Sequence, residues 1–371
     1  MLDSGSYTGG VSTSSSSSAP IVAAPTNTYA TVDAPRSVAM HTDPEALAPA
    51  ANGVVVAITY CGVCATDTHG YTSGGMIPAS VFGHEWTGTV TAVGADVTTV
   101  SVGQRVVACV GSACGTCAQC VAGNSANCDT AFAEANGVTH DAPNHGGFST
   151  EIAVNARRVM PVLDGITDEQ AALVEPTTVT FHAVKRTRQS LGAFVVVQGA
   201  GPIGLLAAQH ARHAGAGRVV IVEPTEARRQ TARDLGFTEV WAPGADFAEF
   251  VASSSNGLGA DVLYECTGVA KLFQASAELV RRGGTLSLLG FPMGTSEVSY
   301  PDWQVRELTV IGSLAYNRED FTGAMLAIQS GAVNVDVLHT KTVGLSELQD
   351  VLDDLDSGTS VQAKVLVDPR R

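Results

Sequence analysis

The run AFVVVQGAGPIGLLAAQHARHAGAGRVVIVEP, residues 193–224, leaves this chain few folds to choose from. An apolar strand leads into a turn with glycines at 199, 201 and 204. Ile203, Leu206, Ala207 and Ala211 then follow a helical period before a second apolar strand. This is a β-α-β unit, and that context gives the G-x-G-x-x-G spacing its weight as a dinucleotide site. Gly199 permits the tight turn, Gly201 lets a pyrophosphate approach the backbone, and Gly204 lets helix and strand pack closely, with Pro202 and Ile203 opening the helix. The second strand ends at Glu223, whose carboxylate can accept from both ribose hydroxyls and repels a 2′-phosphate, so NAD is expected over NADP. Arg228 offers a guanidinium to such a phosphate and keeps NADP as the alternative.

Strand-like runs ADVLYECTG, GTLSLLGF and ELTVIGSL follow, with helical stretches between the first pairs; they predict a parallel sheet covered on both faces. At 371 residues, 45% of them hydrophobic, the chain can fill a second core as well. Upstream, short β-branched runs such as GVVVAITY, TGTVTAVG and QRVVACV, broken by Gly, Asp and Ser, predict a twisted, partly barrel-like β domain. The closing segment reads as two amphipathic helices and a last strand, AKVLVDP, which rejoin that first domain. The expected organisation is a Ser-rich flexible tail over 1–28, a discontinuous catalytic domain over 29–177 and 318–371, and a dinucleotide-binding domain over 178–317.

Four of the eight cysteines, Cys114, Cys117, Cys120 and Cys128, stand in C-x2-C-x2-C-x7-C spacing inside a lobe at about 109–130. Four thiolates close a tetrahedral shell around zinc and leave no corner for water or substrate, so such a site holds shape. Buried or disulfide-linked cysteines and an iron–sulfur cluster are the other readings. A second constellation joins CGVCATDTHG, residues 61–70, to FGHEWTG, residues 82–88. Cys64, His84 and Glu85 form a mixed donor set with room left for water or an alcohol, whose hydroxyl zinc would acidify. Asp67 is expected to accept the spare N–H of His84 and set its tautomer, and Thr66 and His69 to pass a proton outward. Glu175, in an apolar surround before Pro176, is either a helix-terminus carboxylate or a partner of the metal.

These motifs, in this order, resemble the zinc-dependent medium-chain dehydrogenase/reductase (alcohol dehydrogenase) family over about residues 30–369. GVCATDTH resembles its active-site segment, with Cys64 rather than Cys61 as ligand. FGHEWTG resembles its second-ligand segment, and CGTCAQCVAGNSANC its structural-zinc lobe. ALVEPTTVTFHAV followed by VVVQGAGPIG is similar to the branch of sorbitol, threonine and butanediol dehydrogenases, where a Glu replaces a third cysteine ligand.

The resemblance implies an α/β protein: a GroES-like β-rich catalytic domain joined to a Rossmann doubly wound parallel sheet. It implies two zinc ions per chain, the catalytic one on Cys64, His84 and either Glu85 or Glu175. The implied nicotinamide pocket takes in Cys266, Thr267, Gly268, Leu289, Gly290, Phe291, Leu314, Ala315 and Tyr316, and the implied assembly is a homodimer or homotetramer. The implied reaction moves a hydride between an alcohol, a secondary alcohol or polyol foremost, and NAD. The alternatives are an NADP-dependent aldehyde or ketone reductase of the same fold and an inactive dinucleotide-binding protein. Trp86 departs from the smaller residues common after this glutamate.

A net charge of −15 repels nucleic acid and anionic bilayers, which also argues against a zinc-ribbon nucleic-acid module. No stretch approaches the roughly 18 apolar residues of a membrane span, and the first thirty residues lack a secretory pattern. Metal-type cysteine spacing suits a reducing compartment, so a cytoplasmic enzyme with a small alcohol or carbonyl substrate is expected.

Overall fold

The computed structural model describes residue 1 and residues 26–74, 77–111, 113–135, 144–292 and 294–371. The tail expected over 1–28 falls mostly outside them, and the first strand starts at Asn27. Strands β1 (Asn27–Ala34) and β2 (Ser37–Asp43) make an antiparallel pair. Five further strands build an antiparallel sheet: β3 (Gly53–Gly62), β4 (Glu85–Val93), β5 (Arg105–Ala108), β6 (Glu151–Asn155) and β7 (Val159–Pro161). Val54–Val56 of β3 are fully buried, and the β3–β4 register slips between Val55 and Val56 and again between Ile58 and Tyr60. Such bulges bend and twist the sheet towards a barrel.

The second sheet holds β8 (Phe194–Gln198), β9 (Arg218–Val222), β10 (Val240–Trp241), β11 (Ala260–Glu265), β12 (Val280–Leu288) and β13 (Thr309–Gly312). All its pairings are parallel, in the order β10-β9-β8-β11-β12-β13. The strand order reverses between β8 and β11, which opens a crevice at their carboxyl ends. The chain then returns to the first sheet with β14 (His339–Gly344) and β15 (Lys364–Asp368), where β15 runs antiparallel to β3.

Four helices position the site: α1 (Ala65–Ser73), α2 (Val174–Thr187), α3 (Pro202–His213) and α4 (Arg318–Gln329). Helix α2 is buried over most of its length, and its interior threonines satisfy their hydroxyls on its own backbone, as Thr177 does on Leu173 O at 2.7 Å. One continuous apolar core takes in Val107 and Met160 of the first sheet, Val195 and Tyr264 of the second, and Leu173 and Val184 beside and within α2. The boundary expected after residue 177 therefore falls inside a helix that both sheets share.

Candidate active site

Cys64 and His84 are twenty residues apart, yet the β3–β4 hairpin brings them together. Its antiparallel register sets Gly62 opposite Glu85, so the residues just past β3 face the start of β4. Cys64 caps the N-terminus of α1, and Sγ of Cys64, a ring nitrogen of His84 and a carboxylate oxygen of Glu85 lie within 4.8 Å of one another. Thr66 and His69 are half-buried and three residues apart on α1, so they share a helix face.

The His84 tautomer is set by an acceptor other than the expected one. Its Nδ1 lies 2.9 Å from the Val81 carbonyl and 3.7 Å from Asp67 Oδ1, so the Nδ1 proton belongs to Val81 and Nε2 is left as the donor atom. Fully buried Asp67 instead accepts from Cys64 N and from Gly83 N, each at 2.8 Å, and ties the two ligand-bearing loops together. Burial opposes a charge on His84, but neighbouring Cys64, with Asp67 and Glu175 behind it, pushes the imidazole well above its ordinary pKa.

Lys364 escaped the sequence reading. Its ammonium, 3% exposed, lies 2.5 Å from Glu85 Oε2 and 3.0 Å from the Val63 carbonyl. A Cβ on Gly62 would stand 2.4 Å from Glu85 Oε2, so glycine there makes room for the carboxylate. The available signal was a lysine inside the apolar run AKVLVDP, since a buried ammonium needs a counter-charge. Glu175 stands in the first turn of α2, 6% exposed, near enough to His84 to act on its charge. Burial pushes its carboxyl up to about 7, against the pull of His84. Trp86, the unusual neighbour of Glu85, is 2% exposed and fits because Gly147 has no side chain; a Cβ there would stand 2.3 Å from its Cδ1.

On the dinucleotide side, Gly199 has φ +98°, and a Cβ on Gly204 would stand 1.9 Å from Gly199 O, so both positions demand glycine. At Gly201 a Cβ would meet nothing within 4 Å. No protein contact requires glycine there, and the open space lies at the N-terminus of α3, where unpaired N–H groups suit a phosphate. The Glu223 carboxylate accepts from Ala200 N at 2.8 Å and Thr225 N at 2.9 Å, which joins the glycine turn to the end of β9. Arg228 is half-buried on the helix that follows.

The loop Cys266–Gly268 is held by fully buried Glu265, whose carboxylate accepts from Thr267 N at 2.8 Å and whose carbonyl accepts from Leu289 N and Gly290 N. Phe291 and Leu314 are 62% and 63% exposed at its rim. Tyr316, expected in the nicotinamide pocket, is buried, and its hydroxyl oxygen accepts from Val110 N at 3.0 Å.

The cysteine lobe passes a geometric test for zinc. Four thiolates at Zn–S of about 2.3 Å span edges of about 3.8 Å, and the Cys117 and Cys128 sulfurs are 3.8 Å apart. All eight cysteines are unpaired, and Cys114 Sγ accepts from Cys117 N at 3.2 Å while Cys128 Sγ accepts from Cys114 N at 3.2 Å. The Thr116 hydroxyl and the other donors around Cys114 push its thiol down to about 5, which suits a thiolate ligand. The lobe is tied to the N-terminus of α4 through Ser125 Oγ and Asn317 Oδ1, 2.8 Å apart.

Known proteins share this fold. Residues 50–164 match the alcohol dehydrogenase GroES-like domain and residues 202–330 the zinc-binding dehydrogenase domain. The chain is 32% identical over 328 residues to 2-dehydro-3-deoxy-L-galactonate 5-dehydrogenase of Pseudoalteromonas atlantica, covering 87% of this chain and 93% of that one. It is 30% identical over 327 residues to sorbitol dehydrogenase of Halalkalibacterium halodurans, covering 86% and 93%. Among solved structures, 2R,3R-butanediol dehydrogenase of Bacillus subtilis superposes with a TM-score of 0.79 at 26% identity, over 92% of this chain and 99% of that one.

Proposed function

The chain belongs to the zinc-dependent medium-chain alcohol dehydrogenase family, and from that membership we propose that it passes hydride from a secondary alcohol group of a polyol to NAD. One observation carries the site assignment: Cys64, His84 and Glu85 converge within 4.8 Å, with the Nδ1 proton of His84 given to Val81 O. Cys64, His84 and a carboxylate, Glu85 or Glu175, would hold the catalytic zinc, and Cys114, Cys117, Cys120 and Cys128 a second, structural one. Bound there, zinc acts as a Lewis acid on the substrate oxygen.

The remaining work falls to side chains and backbone. Thr66 and His69, on one face of α1, carry the hydroxyl proton from the buried site outward. Gly199, Gly201 and Gly204 hold the pyrophosphate, with Pro202 and Ile203 opening the helix whose N-terminus faces it. Glu223 takes the ribose hydroxyls, and its negative charge favours NAD over NADP, with Arg228 beside it. The loops at Cys266–Gly268, Leu289–Phe291 and Leu314–Ala315 enclose the nicotinamide.

A homodimer is the proposed assembly. Strand β13 leaves one edge of the parallel sheet unpaired, and Val310 on it and Leu314 just past it are 38% and 63% exposed, which suits pairing with a second copy. Eight unpaired cysteines support a reducing, cytoplasmic setting. No helix among the described residues is long and apolar enough to cross a membrane.

The test is NAD reduction by the zinc-loaded protein over a panel of polyols, short diols, amino alcohols and benzylic alcohols. Polyols should be turned over fastest, and Cys64→Ala should abolish turnover while NADH binding persists. Turnover confined to benzylic alcohols would overturn the substrate assignment, and a folded Cys64→Ala protein that had lost NADH binding would refute separate metal and dinucleotide sites.

A further inference from the structure

The chain leaves β13 at Gly312 and enters α4 at Arg318, so the loop between them crosses from the parallel sheet to the returning segment. Ala315 in that loop has φ +54°, a left-handed backbone that an alanine keeps only where its surroundings hold it. One face of α2 holds both ends. Arg186 Nη1 donates to the Gly312 carbonyl at 2.7 Å, just before the loop. Just after it, Lys185 Nζ and His182 Nδ1 both meet the Asp320 carboxylate, at 2.8 and 2.6 Å. A carboxylate cannot donate, so His182 carries its proton on Nδ1 in that contact. Positions 182, 185 and 186 follow i, i+3, i+4 spacing and form one stripe along the helix.

The far end of the loop is fixed to the first domain as well. Asp320 accepts from Asn317 N at 2.8 Å, and Asn317 Oδ1 meets Ser125 Oγ of the cysteine lobe at 2.8 Å. Arg318 donates to the carbonyls of Arg157 at 2.7 Å and Val159 at 3.2 Å. Packing alone does not account for this seat. Asp320 is fully buried and His182 is 3% exposed, yet His182 Nε2 and the Ser313 hydroxyl are buried without a hydrogen-bond partner among the described residues. Orphaned buried polar atoms cost stability, and an apolar side chain at 182 would avoid that cost. The same helix bears Glu175 in its first turn, about two turns before His182. Helix α2 therefore joins the carboxylate beside the metal site to the loop that encloses the nicotinamide.

We propose that His182, Lys185 and Arg186 form a clasp on α2 that positions the loop Ser313–Tyr316, and through it the nicotinamide, against the metal site. They are positioning residues, acting through Asp320 and Gly312 rather than on the reacting atoms. This rests on the dehydrogenase reading above, which sets Leu314 and Ala315 against the nicotinamide.

The experiment compares the binding of NADH with that of ADP-ribose, which lacks the nicotinamide ring, by calorimetric titration of zinc-loaded wild type, Arg186→Met, His182→Phe and His182→Asn. Kinetic constants and melting temperatures are read alongside. Arg186 is exposed, so Arg186→Met tests the clasp without disturbing the core. In Arg186→Met and His182→Phe, NADH should bind roughly tenfold more weakly, the scale of one lost hydrogen bond, while ADP-ribose binds as in wild type. Their kcat with the best polyol should fall by roughly 10- to 100-fold, with KM for the polyol unchanged. His182→Asn places an amide N–H where Nδ1–H stood and should recover most of both losses. Equal weakening of NADH and ADP-ribose, or a lower melting temperature with unchanged NADH affinity and kcat, would make the stripe purely structural and overturn the proposal. A folded His182→Asn protein as impaired as His182→Phe would overturn it too. Wild type that bound ADP-ribose as tightly as NADH would sink the nicotinamide reading of the loop and the clasp with it, a failure seen before any variant is compared.

Discussion

Acidifying the protein should loosen α2 from α3 through a single imidazole. His210, near the end of α3, is 2% exposed, stands edge-on to Phe181 with centroids 5.6 Å apart, and has Nε2 at 3.2 Å from the Thr177 carbonyl on α2. Nε2 therefore carries the proton and the neutral ring is satisfied. Burial pushes the His210 pKa down to about 4; the Thr177 carbonyl works against that and nearby His213 adds to it.

The folded value lies below the unfolded one of about 6.5, so the unfolded chain takes up the proton first as pH falls. His210 contributes nothing to the pH dependence above about pH 7, and stability drains away from about pH 6.5 down to about 4. Over the full window the loss is about 3.4 kcal/mol, and at about pH 5 it is about 2 kcal/mol. His210→Phe isolates the effect: the ring stays apolar beside Phe181, and the Thr177 carbonyl keeps the Thr180 hydroxyl at 2.9 Å. Urea unfolding of both proteins at about pH 7.5 and about pH 5 should show the variant losing about 2 kcal/mol less than wild type between the two. Parallel losses would mean that His210 is not neutral and buried in solution as described.

Three further outcomes are expected. Lys364→Met strands the buried Glu85 carboxylate and should cost about 3–5 kcal/mol in urea unfolding, much of it recovered by adding Glu85→Gln; a single variant as stable as wild type would refute a desolvated pair. Cys117→Ser should remove one zinc per chain by elemental analysis and lower the melting temperature, and loss of that metal at constant melting temperature would refute a structural role. Glu223→Ala should raise KM for NAD by about tenfold or more with kcat little changed, and an unaltered KM would remove Glu223 from the ribose site.

How far the sequence reaches depends on how far apart in the chain the interacting residues stand. The glycine turn at 199–204 and the four cysteines at 114–128 were legible because each is a contact within a few residues of itself, where bond geometry alone limits the arrangement. Continuous apolar runs and helical period likewise foretold the parallel sheet, since a strand covered on both sides must be apolar on both faces. The pairing of Cys64 with His84 was read from their donor types, with the resemblance choosing Cys64 over Cys61, and its physical cause is the β3–β4 register.

Beyond that range, composition is silent. Nothing near Glu85 announces that its counter-charge is Lys364, 279 residues away, because that contact exists only once β15 has paired with β3. Asp67 and Val81 both stand within reach of the His84 ring, and a difference of 2.9 against 3.7 Å gives the proton to the carbonyl. Tyr316 reaches Val110 because one left-handed residue, Ala315, turns the chain after β13. Local patterns thus determined which elements form and which motifs can hold a metal or a phosphate. Strand register and the packing of α2 between two sheets decided which charges meet, because desolvated ion pairs and hydrogen bonds are sensitive to tenths of an ångström that only the assembled fold defines.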